Sequence, residues 1–462
     1  MSRNSEQRAG QLFLFLVDMV CIHLGYVTAY WLLNGESLPS YATYIELGVS
    51  AAVCVVLYLF GLYTSWQRRS FQQLAGTIVV SLGTAAVCIS AAVSFFSVTF
   101  FSLPLIIVAF IGHMILLLSS RFVMWQGLRL LYGRKKVLII AEDESSSLAL
   151  ADKLLSCSGR WFAIGGWLPW KGERQLKEGL QATDAVLISP SINEQQKREI
   201  VRLCIKLEKE MLVVPQLFEI TIGRSVHQQV DDTLVLSIPP FKMSRCQRAV
   251  KRLFDLVASL VIAAAASPFI IGLMVFIPLT SKGPALFKQE RIGREGKPYQ
   301  IYKFRSMVQH AEQQTGPVMA TELDPRITFL GRWIRATRLD ELPQLYNVIK
   351  GDMSLVGPRP ERKFFIDQFQ QQQPDYSYRM AVKPGVTGLA QVMAKYSTSA
   401  EDKWRFDLMY IRHYSFTADI KILLQTVLVM LQRKQANGIQ KNNHQKEQQL
   451  LQLLRQDEAA GQ

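Results

Sequence analysis

Four apolar runs open the chain, at residues 12–33, 44–63, 75–96 and 103–120, each about long enough to cross a bilayer as a helix. The first is longer than a cleavable signal peptide and leads into further apolar runs, not into a small-residue cleavage site. Arg3 and Arg8 precede the first run, Arg68 and Arg69 lie between the second and third, and Arg121, Arg129, Arg134, Lys135 and Lys136 follow the fourth. The loops at 34–43 and 97–102 carry no Lys or Arg, so the positive-inside rule places both ends of this bundle in the cytoplasm. Asp18, His23, Glu46 and His113 fall within or at the edge of these runs. Without a repeated polar face that would mark a transport path, they are expected to snorkel or to pair inside the bundle.

From 135 to 240 the pattern changes to short apolar runs alternating with amphipathic stretches. Strands are expected at 137–141, 163–168, 185–189 and 212–215, and helices at 145–156, 173–182 and 193–210. This βαβ order predicts a small doubly wound, Rossmann-like domain. The turn after the first strand reads Ala141-Glu142-Asp143-Glu144-Ser145-Ser146-Ser147. It lacks the glycines of a dinucleotide site, and its acids would repel a pyrophosphate, which points to a structural or regulatory domain without NAD.

A fifth apolar run occupies 250–278, flanked by Arg245, Arg248, Lys251 and Arg252 on one side and by Lys282, Lys288, Arg291, Arg294 and Lys297 on the other. Both flanks favour the cytoplasm, which a single crossing cannot satisfy. Ser267-Pro268 lies near the middle, where proline removes a helical hydrogen bond. The expectation is a broken helix that enters the membrane and returns on the same side, with the Ser267 hydroxyl satisfying a freed carbonyl. The alternative is an ordinary span with a proline kink, which would put everything downstream outside the cell.

Composition narrows the chemistry. The 462 residues are 49% apolar and carry a net charge of +15, fitting a protein partly solvated by lipid with anionic partners. The six cysteines are scattered without a CxxC or a Cys/His cluster, so neither a zinc site nor a disulfide framework is expected. Basic residues, turn glycines and aromatics interleave from Gly283 to Met307, beside the apolar run. That neighbourhood, with no helix-turn-helix, finger or RNA-stacking motif, favours a phosphate-bearing ligand at a membrane surface over nucleic acid.

The chemistry centres on Arg335-Ala336-Thr337-Arg338-Leu339-Asp340-Glu341-Leu342-Pro343-Gln344. Pro343 suits a first helical turn, so Asp340 is expected near a helix N-terminus, with the dipole, Arg335 and Arg338 lowering its pKa. An anionic Asp in a basic pocket is a candidate nucleophile toward phosphorus. Standing alone, the stretch reads more readily as an acidic cap on a solvated helix.

It is joined by Lys350-Gly351-Asp352-Met353-Ser354-Leu355-Val356-Gly357-Pro358-Arg359-Pro360 and by Lys383-Pro384-Gly385-Val386-Thr387-Gly388-Leu389-Ala390-Gln391. With Gly283–Met307 and the Asp340-Glu341 stretch, these resemble the bacterial sugar transferases, the monotopic phosphoglycosyl transferases. The upstream bundle and βαβ domain resemble the long members, the undecaprenyl-phosphate glucose- and galactose-1-phosphate transferases that begin exopolysaccharide, capsule or O-antigen synthesis. The resemblance implies transfer of a hexose 1-phosphate from a UDP-sugar to undecaprenyl phosphate at the cytoplasmic face of the inner membrane, with release of UMP. It makes Asp340 the nucleophile of a covalent phosphosugar intermediate and Glu341 its support, through Mg²⁺ or as a base. It further implies a phosphate-binding Arg335, a nucleotide-contacting loop at Pro358-Arg359-Pro360, a helix break at Ser267-Pro268, and a homodimer. Arg338, Lys303 and Arg305 join the candidate phosphate-binding set. After Gln391-Val392 the family commonly runs Asn-Gly-Arg, whereas this chain has Met393-Ala394-Lys395, so Lys395 would supply a point charge in place of a bidentate fork.

The expected architecture is thus a four-span bundle at 1–134, the Rossmann-like domain at 135–240, a mainly helical catalytic domain at 241–434 with its re-entrant helix at 250–278, and a Gln-rich tail at 435–462. Within the catalytic domain, Lys403-Trp404-Arg405-Phe406-Asp407 and the amphipathic 420–431 suit either the membrane surface or the core. Two rivals remain open. A membrane-bound sugar-nucleotide dehydratase needs the missing glycine-rich loop, and a non-catalytic membrane scaffold would tolerate Asp340→Asn.

Overall fold

The computed structural model describes residues 3–64, 69–96, 101–156, 161–170, 173–309, 324–395 and 398–431. Arg68, the loop residues 97–100, Cys157 and the Gln-rich tail lie outside the described residues. The chain forms two compact units, which divide between Val214 and Pro215.

The first unit begins with four long helices, α1 (Arg3–Asn34), α2 (Ser40–Leu59), α3 (Phe71–Phe96) and α4 (Leu103–Tyr132). All four contribute to one apolar core, including Ile22, Leu57, Ile78 and Leu117, while residues such as Phe13, Val87 and Ile115 face outward. Each helix is long and apolar enough to cross a membrane. The ionisable side chains pair inside the bundle: Arg121 Nη2 donates to Asp18 Oδ2 at 2.6 Å, His23 Nδ1 lies 2.6 Å from Glu46 Oε2, and His113 Nε2 lies 2.9 Å from the Ile22 carbonyl. Arg121 therefore belongs to the bundle interior and not to the flanking charges. Only 1% exposed, it offsets the charge of Asp18, which is itself 0% exposed.

The α/β part of this unit runs β1 (Lys135–Ala141), α5 (Glu144–Leu155), β2 (Phe162–Pro169), α6 (Glu173–Gln181), β3 (Ala185–Ile188), α7 (Glu194–Lys206) and β4 (Glu210–Val213). The strands form one parallel sheet in the order β2-β1-β3-β4. Alternation along β1 serves two cores. Val137 and Ile139 meet Leu150 and Ala151 of α5, while Leu138 and Ile140 meet Leu176 and Leu180 of α6 and Ile200 and Leu203 of α7. Helices on both faces bury all of β3, the pattern a parallel sheet requires. Asp143 caps α5, accepting from Ser146 N at 3.1 Å, so the helix N-terminus where a pyrophosphate would sit holds its own carboxylate.

The second unit starts with α8 (Leu217–Ile222) and the antiparallel hairpin β5 (Val226–Val230) and β6 (Thr233–Ser237). The residue pattern assigned this segment to the α/β domain. The structure instead gives it to the second unit, because Ile220 joins that core and Arg224 Nη1 donates to the Arg412 carbonyl at 3.0 Å. Next comes α9 (Arg245–Thr280), capped by Ser244 and Gln247, followed by the hairpin β7 (Leu286–Ile292) and β8 (Pro298–Phe304). The remaining elements are α10 (Phe329–Ala336), α11 (Gln344–Lys350), β9 (Ser354–Val356), α12 (Lys363–Gln372), β10 (Gly385–Thr387), α13 (Leu389–Met393), α14 (Ala400–Arg412) and α15 (Phe416–Leu431).

The helical assignment of α9 continues through Pro268. Pro268 has no N–H for the Ala264 carbonyl, and the Ser267 hydroxyl donates to that carbonyl at 2.7 Å instead. Both halves of α9 pack on the same unit. In the first half, Lys251 Nζ lies 2.7 Å from Asp419 Oδ2, Arg252 Nη2 donates to the Ile349 carbonyl at 2.7 Å, and Asp255 Oδ1 accepts from Leu355 N at 3.2 Å. In the second, Leu273 and Ile277 pack with Phe304 and Ile334. Trp404, Leu408 and Ile422 are core residues, which decides for packing over the membrane surface at these positions.

Candidate active site

Asp340 and Glu341 lie on a single 3₁₀ turn, Leu339–Glu341, between α10 and α11. Arg338, just before it, holds a left-handed φ of 55°, a costly conformation for a residue with a Cβ. Pro343 is the residue before α11, so Asp340 stands outside the helix and not within its first turn. Asn347, fully buried on α11, fixes the turn against β8: its Nδ2 donates to the Gln300 carbonyl at 2.7 Å and its Oδ1 accepts from Tyr302 N at 3.1 Å. This register brings Lys303 to the acidic pair.

Two cations hold Glu341. Its Oε1 lies 3.4 Å from Lys303 Nζ and 3.0 Å from Arg359 Nη2. Burial opposes its ionisation, but Arg359, Lys303 and Arg338 outweigh burial and keep the carboxyl below the usual range. Asp340 differs. It makes no hydrogen bond or ion pair with another described side chain. Burial and then the neighbouring Glu341 charge push its carboxyl up to about 6, with Lys303, Arg335 and Arg359 opposing. The expectation of a lowered Asp340 pKa is therefore reversed, because desolvation and like charge exceed the attraction of the basic residues. One carboxylate is anchored and ionised, and the one beside it is unpaired and close to neutrality's edge.

Arg359 is brought in by its own loop. The buried residues Pro358 and Pro360 flank it, Arg379 Nη2 donates to the Arg359 carbonyl at 2.8 Å, and Arg291 Nη1 donates to the Pro360 carbonyl at 3.1 Å. Arg379 is itself buried and lies 2.7 Å from Asp407. Beneath the loop, β9 and β10 pair in parallel so closely that a Cβ on Gly385 would lie 2.1 Å from Gly357 N. Glycine at both ends of this contact explains the two glycine-containing motifs, which a single backbone crossing unites.

The predicted residues thus divide. Lys303, Arg335, Arg338 and Arg359 surround the acidic pair. Arg305 does not serve it: its guanidinium donates to the carbonyls of Ser281 and Lys282, both at 2.7 Å, and ties the end of α9 to β8. Lys395 is exposed, with its backbone N donating to Thr398 Oγ1 and no described contact to the acidic pair. Sequence reasoning missed Asn347, Arg379 and Asp407 as supports. Nothing local marks them, since each acts on a backbone group or charge distant in sequence.

Comparison with known proteins accords with this geometry. Residues 246–433 match the bacterial sugar transferase family. An uncharacterized sugar transferase of Bacillus subtilis is 40% identical over 195 residues, 42% of this chain and 92% of the relative. The chain belongs to the bacterial sugar transferase family. A UDP-N-acetylgalactosamine-undecaprenyl-phosphate N-acetylgalactosaminephosphotransferase of Aeromonas hydrophila is 39% identical over 221 residues, 47% of this chain and 51% of the relative. A UDP-glucose:undecaprenyl-phosphate glucose-1-phosphate transferase of Klebsiella pneumoniae is 34% identical over 263 residues, 52% of this chain and 56% of the relative. The chain spans about half the length of these two relatives. The family match contains every member of the acidic-pair site, its supports and all of α9 but its first residue.

Proposed function

We propose that this sugar transferase moves a sugar 1-phosphate from a UDP-sugar to undecaprenyl phosphate, releasing UMP and forming an undecaprenyl diphosphate sugar. The observation that carries the reading is the asymmetry of the acidic pair: Glu341 is bound by Lys303 and Arg359, whereas no described side chain is bonded to Asp340 beside it. An Asp340 oxygen attacks the phosphorus bonded to the sugar oxygen, and the bond from that phosphorus to the oxygen bridging the two phosphates breaks as UMP leaves. A phosphate oxygen of the polyprenol then attacks the same phosphorus and the Asp340 carboxylate departs, ready for another cycle. Arg359, Arg335 and Lys303 offset the phosphoryl charge.

The two carboxylates suit Mg²⁺, which takes one or two protein carboxylates and completes its shell with water and substrate phosphates. Among the described residues no group of three His, Cys, Asp or Glu side chains converges as a metal cage, so water and substrate phosphates would complete the shell. When bound, Mg²⁺ would neutralise charge on the diphosphate. Asp340 and Glu341 would hold it.

Two of the relatives named above are described as N-acetylgalactosamine and glucose phosphotransferases, and a galactose phosphotransferase of Salmonella typhimurium is 39% identical over 216 residues. The donor is one of these three sugars, and exopolysaccharide, capsule or O-antigen synthesis is the setting. We place the catalytic unit on the cytoplasmic face of the inner membrane, in a protein with four spans and a re-entrant α9, and assign it a homodimeric state. Arg252 and Ile277 are both anchored to the same unit, while Val261 and Ile271 between them are 63% and 65% exposed, so the stretch around Pro268 is the part of α9 left for lipid in this reading.

The test is nucleotide release from UDP-glucose, UDP-galactose and UDP-N-acetylgalactosamine with undecaprenyl phosphate and Mg²⁺. UMP is expected, and Asp340→Asn should abolish it together with the covalent adduct. Release of UDP would mean direct glycosyl transfer and would overturn the proposal.

A further inference from the structure

A cavity of about 690 Å³ opens in the catalytic unit between α8, α12, the turn Pro374–Ala381 and α14. It contains neither Asp340 nor any residue that contacts the acidic pair, and its volume is that of a small-molecule site. Its lining tells which ligands fit. The one cation among the described lining residues, Arg405, is buried and already neutralised: Nε donates to the Pro215 carbonyl, and Nη1 and Nη2 are paired with the carboxylates of Asp402 and Glu401. A phosphate or nucleotide would meet no free positive charge there, only the carboxylates of Asp375 and Glu401. Aromatic surface comes from Phe218, 65% exposed at the rim, and from the partly buried Phe369, above a floor in which Tyr376 and Trp404 are 4% and 2% exposed. Gln372, Gln373 and Asp375 offer amides and a carboxylate beside those rings.

Apolar ring faces with amide and carboxylate hydrogen-bonding groups, and no available cation, match a ligand that is uncharged, rich in hydroxyls and apolar on one face. We propose that this cavity binds a neutral saccharide and that its occupancy alters turnover at Asp340. The route is short. Tyr376 in the wall accepts from Arg379 Nη1, and Arg379 Nη2 holds the Arg359 carbonyl at 2.8 Å, while the Arg359 side chain binds Glu341. Asp375 is fixed in turn by Trp404, whose Nε1 donates to its carbonyl at 3.2 Å. A saccharide seated between Phe218, Phe369 and the turn that carries Asp375 and Tyr376 therefore bears on the segment that positions Arg359. The regulatory half of this proposal rests on the function proposed above, but the binding half does not.

The test uses full-length protein in nanodiscs and saturation-transfer NMR with glucose, galactose, N-acetylgalactosamine and lactose as probes. At least one is expected to receive saturation from the wild type and from Asp340→Asn, in which the active site is disabled. Phe218→Ala and Asp375→Asn, both at solvent-accessible positions, should each weaken binding about tenfold. No transfer to any probe would overturn the proposal. So would binding unaffected by Phe218→Ala and Asp375→Asn, binding lost in Asp340→Asn, or binding of spermidine in place of the sugars. A saturating saccharide should also change the rate of nucleotide release at least about twofold in the wild type and not in Phe218→Ala, given the coupling typical of linked sites. Binding with an unchanged rate would overturn the regulatory half alone.

Discussion

Lys303→Gln isolates the electrostatics of the acidic pair. The Lys303 ammonium lies 3.4 Å from Glu341 Oε1 and counters the burial and like charge that push Asp340 up to about 6. A unit charge about 5 Å away in a medium of effective dielectric about 20 contributes at most ~3 kcal/mol, or about two pH units. Glutamine retains a polar contact and the pocket readmits water, so we expect the Asp340 midpoint to rise by about one unit. The sign follows from the nucleophile: attack needs the carboxylate, so activity is present above the Asp340 midpoint and lost as pH falls through it. The assay is kcat/KM for nucleotide release between about pH 5 and about pH 9, where the acid limb reports the free enzyme. In the wild type the limb should fall near 6, and in Lys303→Gln near about 7. Beyond a pH-independent loss from the missing phosphoryl partner, the variant should be about a further fivefold slower at pH 6 than in alkali, as a shifted titration requires. A uniform loss at every pH would show that Lys303 only binds phosphate. A wild-type limb near 4, or a downward shift in the variant, would refute the assignment of burial and Glu341 as the dominant influences on Asp340.

Asn347→Ala removes both side-chain hydrogen bonds between α11 and β8 and leaves a buried carbonyl and amide unpaired, so it should cost about 2–4 kcal/mol and lower the thermal midpoint of the catalytic unit; an unchanged midpoint would mean that packing alone sets the register. Asp18→Ala strands a buried Arg121 charge and should destabilise the bundle by about 3–5 kcal/mol, whereas replacing both partners with apolar residues should restore most of it; equal losses in the single and double variants would contradict this. Pro268→Ala returns an N–H to the Ala264 carbonyl and should let α9 straighten. A cysteine substituted for Lys282 should then become at least partly accessible from the opposite side of the membrane, and labelling unchanged from the parent would argue that Pro268 does not set the topology.

The long apolar runs, the βαβ alternation and the acidic pair between basic residues were legible in the sequence because each depends on near neighbours: helix period, strand period and the composition of one turn. Most strand and helix positions of the α/β part follow from that local pattern. The boundary at Pro215 did not, since β5 and β6 look like any sheet hairpin until Ile220 and Arg224 find partners about 190 residues later. Arg121 read as a loop charge because its partner, Asp18, stands 103 residues away. In the site, sequence determined which carboxylates and cations were available. Only the fold decided which were spent, turning Arg305 onto the end of α9, Lys303 and Arg359 onto Glu341, and none onto Asp340. Desolvation is likewise a property of the folded surroundings, so the rise of the Asp340 pKa could not be read from its basic neighbours. Residue type fixes the charge a chain carries, and tertiary contact fixes how much of that charge is left to act.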